Sequence, residues 1–209
     1  MRNASLFPRK KSGGRPETDE HFLGIFMSDI LKPYSMITDF VTGKDIPNVG
    51  AEENRQMVEK FLVREKGYSK EDIAVNVDLA ITIGADTYRS QIDLVVSADG
   101  GHGPKRLMAI KCAAASLGSR EREILAAARL LGDYQLPFSV VSDGKTAILL
   151  DTVSGRKLGE GLEAILSKKA ALTKLNTLKL VPYPKEKRER EKLIFRSYDS
   201  MNVNVSRNL

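Results

Sequence analysis

The sequence holds one cysteine, two histidines and no tryptophan in 209 residues. A single cysteine excludes a disulfide framework and a Cys-rich zinc site. His21 and His102 lie far apart, and neither has the neighbours of an HExxH zinc helix. No apolar run approaches the roughly 18–20 residues needed to cross a bilayer. The opening MRNASLFPRKKSGGRPETDE has no apolar signal-peptide core. No GxxxxGK[ST] loop is present, which excludes a P-loop motor. The expectation is a soluble, cytoplasmic protein of a reducing compartment, with no membrane partner.

What is present suffices for one domain with tails. The hydrophobic share is 42%, ordinary for a chain that builds a core. The net charge of +6 is unevenly spread. Residues 168–209 carry eleven basic and four acidic side chains, and residues 1–20 carry five and three. The middle is therefore slightly acidic. Basic arms attract polyanions by counterion release. The competing reading is a solvated appendage that keeps the protein in solution.

Four regions follow from the pattern. Residues 1–20 read as a disordered basic tail, and 21–50 as a helix (21–32) and a loop rich in Pro and Gly. Residues 51–169 form the core domain, and 170–209 a basic extension with a charged helix at 184–198. Within the core, AEENRQMVEKFLVREKGY (51–68) has Met57, Val58, Phe61 and Leu62 at helical spacing. IAVNVDLAITI (73–83) alternates strictly, with its odd-numbered residues expected on one face. YRSQIDLVVS (88–97) and RLMAIKC (106–112) are the next strands. A helix follows at 120–131, then a hairpin of 138–142 and 146–151 around Asp143-Gly144. A further helix is expected at 159–169. The fold class is α/β, a mixed sheet flanked by helices in the order αβββαβ, because a helix before the last strand allows a parallel crossover.

Polar groups that interrupt apolar strands are the informative ones. Asp93 stands between Ile92 and Leu94. Lys111 stands in MAIKC, where Ala109, Lys111 and Ala113 share one face and Met108, Ile110 and Cys112 the other. A lysine in such a run needs a partner, and Asp93 on the preceding strand is the nearest in the pattern. A structural ion pair is the competing account. Glu53 continues the stripe of Met57 and Phe61, with Glu52 turned about 100° towards solvent. Glu121 shares a face with Ile124, Leu125 and Ala128, and Glu123 lies nearer the edge. Compensation of the helix dipole would explain all of these first-turn acids without function. Carboxylates from helix and strand converging beside a lysine suit phosphodiester hydrolysis with Mg²⁺ or Mn²⁺, whose water the metal would activate.

The order of elements, with Asp93 on the second strand and Lys111 on the third, resembles the PD-(D/E)xK nuclease core. EENRQMVEKFLVREKGY, the alternating strand, QIDLVV and PFSVVSDGKTAILLD resemble the N-terminal nuclease domain of the type I restriction enzyme R subunit. The resemblance covers about residues 50–152. It implies a restriction-endonuclease-like core, a Mg²⁺- or Mn²⁺-dependent endonuclease acting on DNA, and admits a homodimer. That family carries Glu-x-Lys on the third strand, whereas Ala109 occupies the glutamate slot when Lys111 takes the lysine slot. A second alignment puts Lys111 in the glutamate slot and Ala113 in the lysine slot; the first is preferred. Some type II restriction enzymes of this fold pair Lys-Cys with an acid moved to the following helix, and IKC followed by SREREI is similar. The resemblance therefore implies Asp93 as metal ligand and Lys111 on the water. It implies Glu121 or Glu123 as the moved acid, and Glu53 as a supporting ligand. The Gln-x-x-x-Tyr motif that often follows in the type I family is missing. The alternative is a degenerate nuclease fold that binds nucleic acid or serves assembly without cutting.

Overall fold

A computed structural model of the chain describes residues 34–101 and 103–201. It divides into two units, 1–35 and 36–209, and every element below belongs to the second. The helix expected at 21–32 and the tail at 1–20 lie outside the described residues. A six-stranded sheet runs in the order β3-β4-β5-β6-β7-β8. Its strands are β3 (Ile73–Ile83), β4 (Asp86–Asp99), β5 (Pro104–Cys112), β6 (Phe138–Ser142), β7 (Ala147–Asp151) and β8 (Lys157–Glu160). Only β5 and β6 run parallel, joined through helix α2 (Glu121–Leu130). The other neighbours are antiparallel. The sheet is thus mixed, as the order of elements predicts. No helix among the described residues is long and apolar enough to cross a membrane.

Two departures concern the flanks of the core. The stretch read as a loop before residue 50 contains a hairpin, β1 (Met36–Thr38) and β2 (Asp45–Pro47). The helix expected at 159–169 is instead β8, a short 3-10 turn at Leu162–Ala164 and helix α3 (Lys168–Leu175). Gly161, at a φ of 87°, is the reason a helix cannot run through this segment. The charged C-terminal segment forms helix α4 (Lys185–Ser200), which packs on α2 and carries Phe195 into the core.

Two apolar layers cover the sheet. Val58 and Leu62 of helix α1 (Glu52–Arg64) meet Leu94, Met108 and Ile110 on one side. Ile124 and Leu125 of α2 and Phe195 of α4 meet Ile92, Val95, Ala109 and Ala113 on the other. The alternation of β5 therefore sorts its side chains as expected. β3 does not keep its odd-numbered residues on one side. Ile73 belongs to the α1 layer, with Val75 against it, whereas Leu79 and Ile81 belong to the α2 layer. The strand turns over between them at Asn76, whose φ is 51°. β4 turns over at the same level, between Ile92 and Leu94. The β3–β4 ladder pairs Val75 with Leu94 and Val77 with Ile92 and skips Asn76 and Asp93 between them. Asparagine is one of the few residues that take a left-handed conformation cheaply.

A buried ionic knot fixes the hairpin to α1. Arg55 donates to Asp39 at 2.7 Å and to Glu59 at 2.5 Å, and it also bonds Glu52. Gln56 accepts the Phe40 amide at 2.7 Å and donates to Asp39 at 3.1 Å. Burial opposes ionisation of Asp39, but the Thr42 amide and hydroxyl and the Arg55 guanidinium outweigh it and hold the carboxyl below its usual range. Burial pushes Glu59 from 4.5 up to about 7; Arg55 opposes the rise, and the Asp39 charge adds to it. Three carboxylates around one guanidinium leave an excess of negative charge, and the proton on Glu59 relieves it.

Two outcomes follow. Asn76→Val should lower unfolding free energy by about 1–2 kcal/mol, while Asn76→Gly should change it little; chemical denaturation would measure both. Between pH 4.5 and about 7 the folded chain holds a Glu59 proton that the unfolded chain has released. That contribution to stability is complete below the unfolded value and is lost as pH rises through the folded one. Melting temperatures across this window should therefore fall with pH more steeply in the native chain than in Glu59→Gln.

Candidate active site

The site forms where β4 and β5 part. Their ladder ends at the pair Leu94 and Ile110. Beyond it, the Ala113 amide donates to Ser142 of β6 at 2.8 Å. Successive strand amides point to opposite sides, so the Cys112 amide points toward β4. Its acceptor is not the β4 backbone but the Asp93 carboxylate, at 2.7 Å. The other Asp93 oxygen lies 3.3 Å from Lys111 Nζ. Asn54 of α1 completes the fork by donating to the Ala113 carbonyl at 2.7 Å.

Lys111 is 6% exposed, so its charge must be met by neighbours. Glu123 supplies the second carboxylate, 3.2 Å from Nζ, and is itself only 3% exposed. Arg120 lies 3.6 Å from the other Glu123 oxygen. Burial works against the ammonium, yet Asp93 and Glu123, with a smaller contribution from Asp199, raise it to about 12. Lys111 is thus a fixed cation at any working pH, suited to pairing with a phosphate or holding a water rather than to taking a proton from one. Burial drives the Cys112 thiol well up, which makes it a packed side chain and not a nucleophile.

Asp93 and Lys111 open on a cleft of about 210 Å³. Glu52 and Arg55 of α1, Asn76 of β3 and Gln91 of β4 line it, and Ile46 and Pro47 of β2 form its apolar wall. Glu52 uses Oε1 for both of its bonds, to Arg55 and to Gln56. Its Oε2 carries no bond among the described residues. Asp93 and Glu52 therefore bring hard oxygen donors to one cleft beside Lys111. Among the described residues no group of three or more His, Cys, Asp or Glu side chains stands ready to hold a metal. That donor set fits Mg²⁺ or Mn²⁺, which bind through one or two carboxylates and keep several waters. It does not fit an all-protein cage.

The structure brings together Asp93, Lys111 and Glu123 and leaves out Glu53 and Glu121. Glu53 is exposed and accepts a bond from Asn48 at 2.7 Å, outside the cleft. The residue turned into the cleft is its neighbour Glu52, which the apolar stripe had assigned to solvent. The stripe misled because Met57 is exposed, while the buried face of α1 carries Arg55, Gln56 and Glu59 beside Val58 and Leu62. Glu121 is half-buried, and its charge acts on Lys157 of β8. Glu123, placed at an edge by periodicity, is the buried partner of Lys111. The reason is α4, which covers the second side of α2 and buries residues all round it. Asn76 and Gln91, which line the cleft, were also missed. The sequence carried no signal for them, because Asn76 and Gln91 each fall on a polar position of an alternating strand.

The family described as Type I restriction enzyme R protein N terminus (HSDR_N) matches residues 50–165. That span runs from the start of α1 to the segment just after β8 and contains Glu52, Asp93, Lys111 and Glu123. Neither a curated protein nor a solved structure matches the chain. More than half of the sequence lies within the family match, and its strands follow the order of a restriction-endonuclease-like core. The chain therefore belongs to the family of type I restriction enzyme R protein N-terminal domains.

Proposed function

We propose that the protein is a divalent-metal-dependent nuclease that hydrolyses phosphodiester bonds of DNA in the cleft at the β4–β5 fork. The observation that carries this reading is the convergence of Asp93, Lys111 and Glu52 from three separate elements on one cleft. Asp93 and Glu52 would hold the cation. When bound, the metal supplies an activated water and neutralises charge on the phosphate.

This chain's own side chains do the rest. Lys111 presents a permanent positive charge toward a phosphate oxygen that gains charge in the transition state. Glu123 stands beside the ammonium in the role that a Glu-x-Lys glutamate would have, since Ala109 offers no carboxylate. It lies 3.2 Å from the Lys111 ammonium and supplies the second half of its ionic support. Gln91 and Asn76 add neutral polar groups along the cleft without adding charge.

Plasmid cleavage in Mg²⁺ or Mn²⁺ tests this directly. Asp93→Asn and Lys111→Ala should each lower the rate by at least about 100-fold, the scale of a lost positioned charge. Glu123→Gln and Glu52→Gln should also fall, while Glu53→Gln and Glu121→Gln should cleave like the native chain. Circular dichroism should show all six folded. A native chain that cleaves in neither metal, yet shifts DNA in a gel without metal, would replace this reading with that of a degenerate nucleic-acid binder.

A further inference from the structure

The β1–β2 hairpin precedes the family match, yet it reaches the site in two ways. Ile46 and Pro47 of β2 line the cleft directly. Asp39, the residue after β1, does not line it and is 1% exposed. One Asp39 oxygen accepts from Arg55 at 2.7 Å and from Gln56 at 3.1 Å. Its other oxygen accepts the Thr42 amide at 2.6 Å and the Thr42 hydroxyl at 2.8 Å. The same two side chains hold Glu52. Arg55 bonds it through Nη2, and Gln56 donates to it at 3.3 Å. Both bonds fall on Oε1 and leave Oε2 to the cleft. A chain of direct bonds thus runs from the hairpin to a cleft carboxylate.

The competing account is a knot that only fastens the hairpin to α1. That task does not need Glu52. Asp39 balances the Arg55 charge, and Glu59 places a second carboxyl on the same nitrogen at 2.5 Å. Both are buried, whereas the Glu52 side chain is 18% exposed. A pair of long side chains near solvent is worth little, because both must be ordered to form it. Here Arg55 is already ordered by its buried partners, so the restraint falls on Glu52.

We infer that Asp39 is a positioning residue for Glu52, acting through Arg55 and Gln56, and that the hairpin is a working part of the metal site. The inference rests on the proposed role of Glu52. A divalent ion held through one or two carboxylates and several waters depends on where each carboxylate stands. Asp39 fixes one of them without entering the cleft.

Calorimetric titration of the full chain with Mn²⁺ tests this. Asp39→Asn should weaken uptake by about 10–100-fold, the scale of losing a group that orients a metal ligand. In a Glu52→Gln background the same change should weaken it no further, because the carboxylate it places is gone. Arg55→Lys keeps the charge but lacks the planar fork that reaches both partners, and it should repeat the pattern. Should Asp39→Asn not fold, Arg55→Lys decides alone. Unchanged affinity in these variants would overturn the inference. Equal weakening in both backgrounds would also overturn it, since Asp39 would then serve the hairpin and not Glu52. Uptake with this coupling but no cleavage of DNA would remove the proposed activity and leave the placement of Glu52 standing. A native chain that takes up no Mn²⁺ would overturn both.

Discussion

The β4–β5 ladder stops at Leu94 and Ile110, and the Asp93 carboxylate takes the Cys112 amide that the next backbone carbonyl would otherwise have met. That exchange lets the two strands diverge without orphaning a buried amide, which would cost about 1–3 kcal/mol. It also fixes the carboxylate at the mouth of the cleft and within reach of Lys111. The same side chain therefore ends the ladder, anchors the cation and offers oxygen to the cleft. On β3 the chain turns over directly opposite, at Asn76, so both strands change faces at one level. The opening of the sheet and the placement of the polar groups are one event.

Around that fork the protein spends stability on charge. Lys111 and Arg55 are both buried, and each is surrounded by carboxylates rather than matched by one. Replacing such clusters by apolar residues is often neutral or stabilising, so their presence argues for a use beyond holding the fold. The Arg55 knot ties the β1–β2 hairpin to the first turns of α1 and holds Glu52 at the cleft. The Lys111 cluster ties α2 to the centre of the sheet. Within the cleft the carboxylates of Glu52 and Asp93 stand beside the two buried cations, Arg55 and Lys111.

Much of the fold was legible because its strands are amphipathic or apolar in simple patterns. β3, β4, β5 and the β6–β7 hairpin follow from alternation and from Asp143-Gly144. Asp93 and Lys111 stood out because each interrupts an apolar strand. The helix acids were not legible, for two different reasons. In α1 the buried face carries Arg55, Gln56 and Glu59, so a stripe read through the exposed Met57 missed the true interior. In α2 nearly every residue is buried, because α4 closes the side that a sequence reading leaves to solvent. Periodicity cannot choose between Glu121 and Glu123 on a helix with seven of its ten residues buried. The packing of α4 was hidden as well, since a charged C-terminal segment reads as an appendage until Phe195 is seen in the core.

Calorimetric titration with Mn²⁺ tests the site most directly, because it asks which carboxylates face the cleft without requiring turnover. The geometry predicts one cation per native chain, binding lost in Asp93→Asn, weakened in Glu52→Gln and unchanged in Glu53→Gln. A native chain that takes up no cation, or a Glu53→Gln variant that loses it while Glu52→Gln keeps it, would contradict the account.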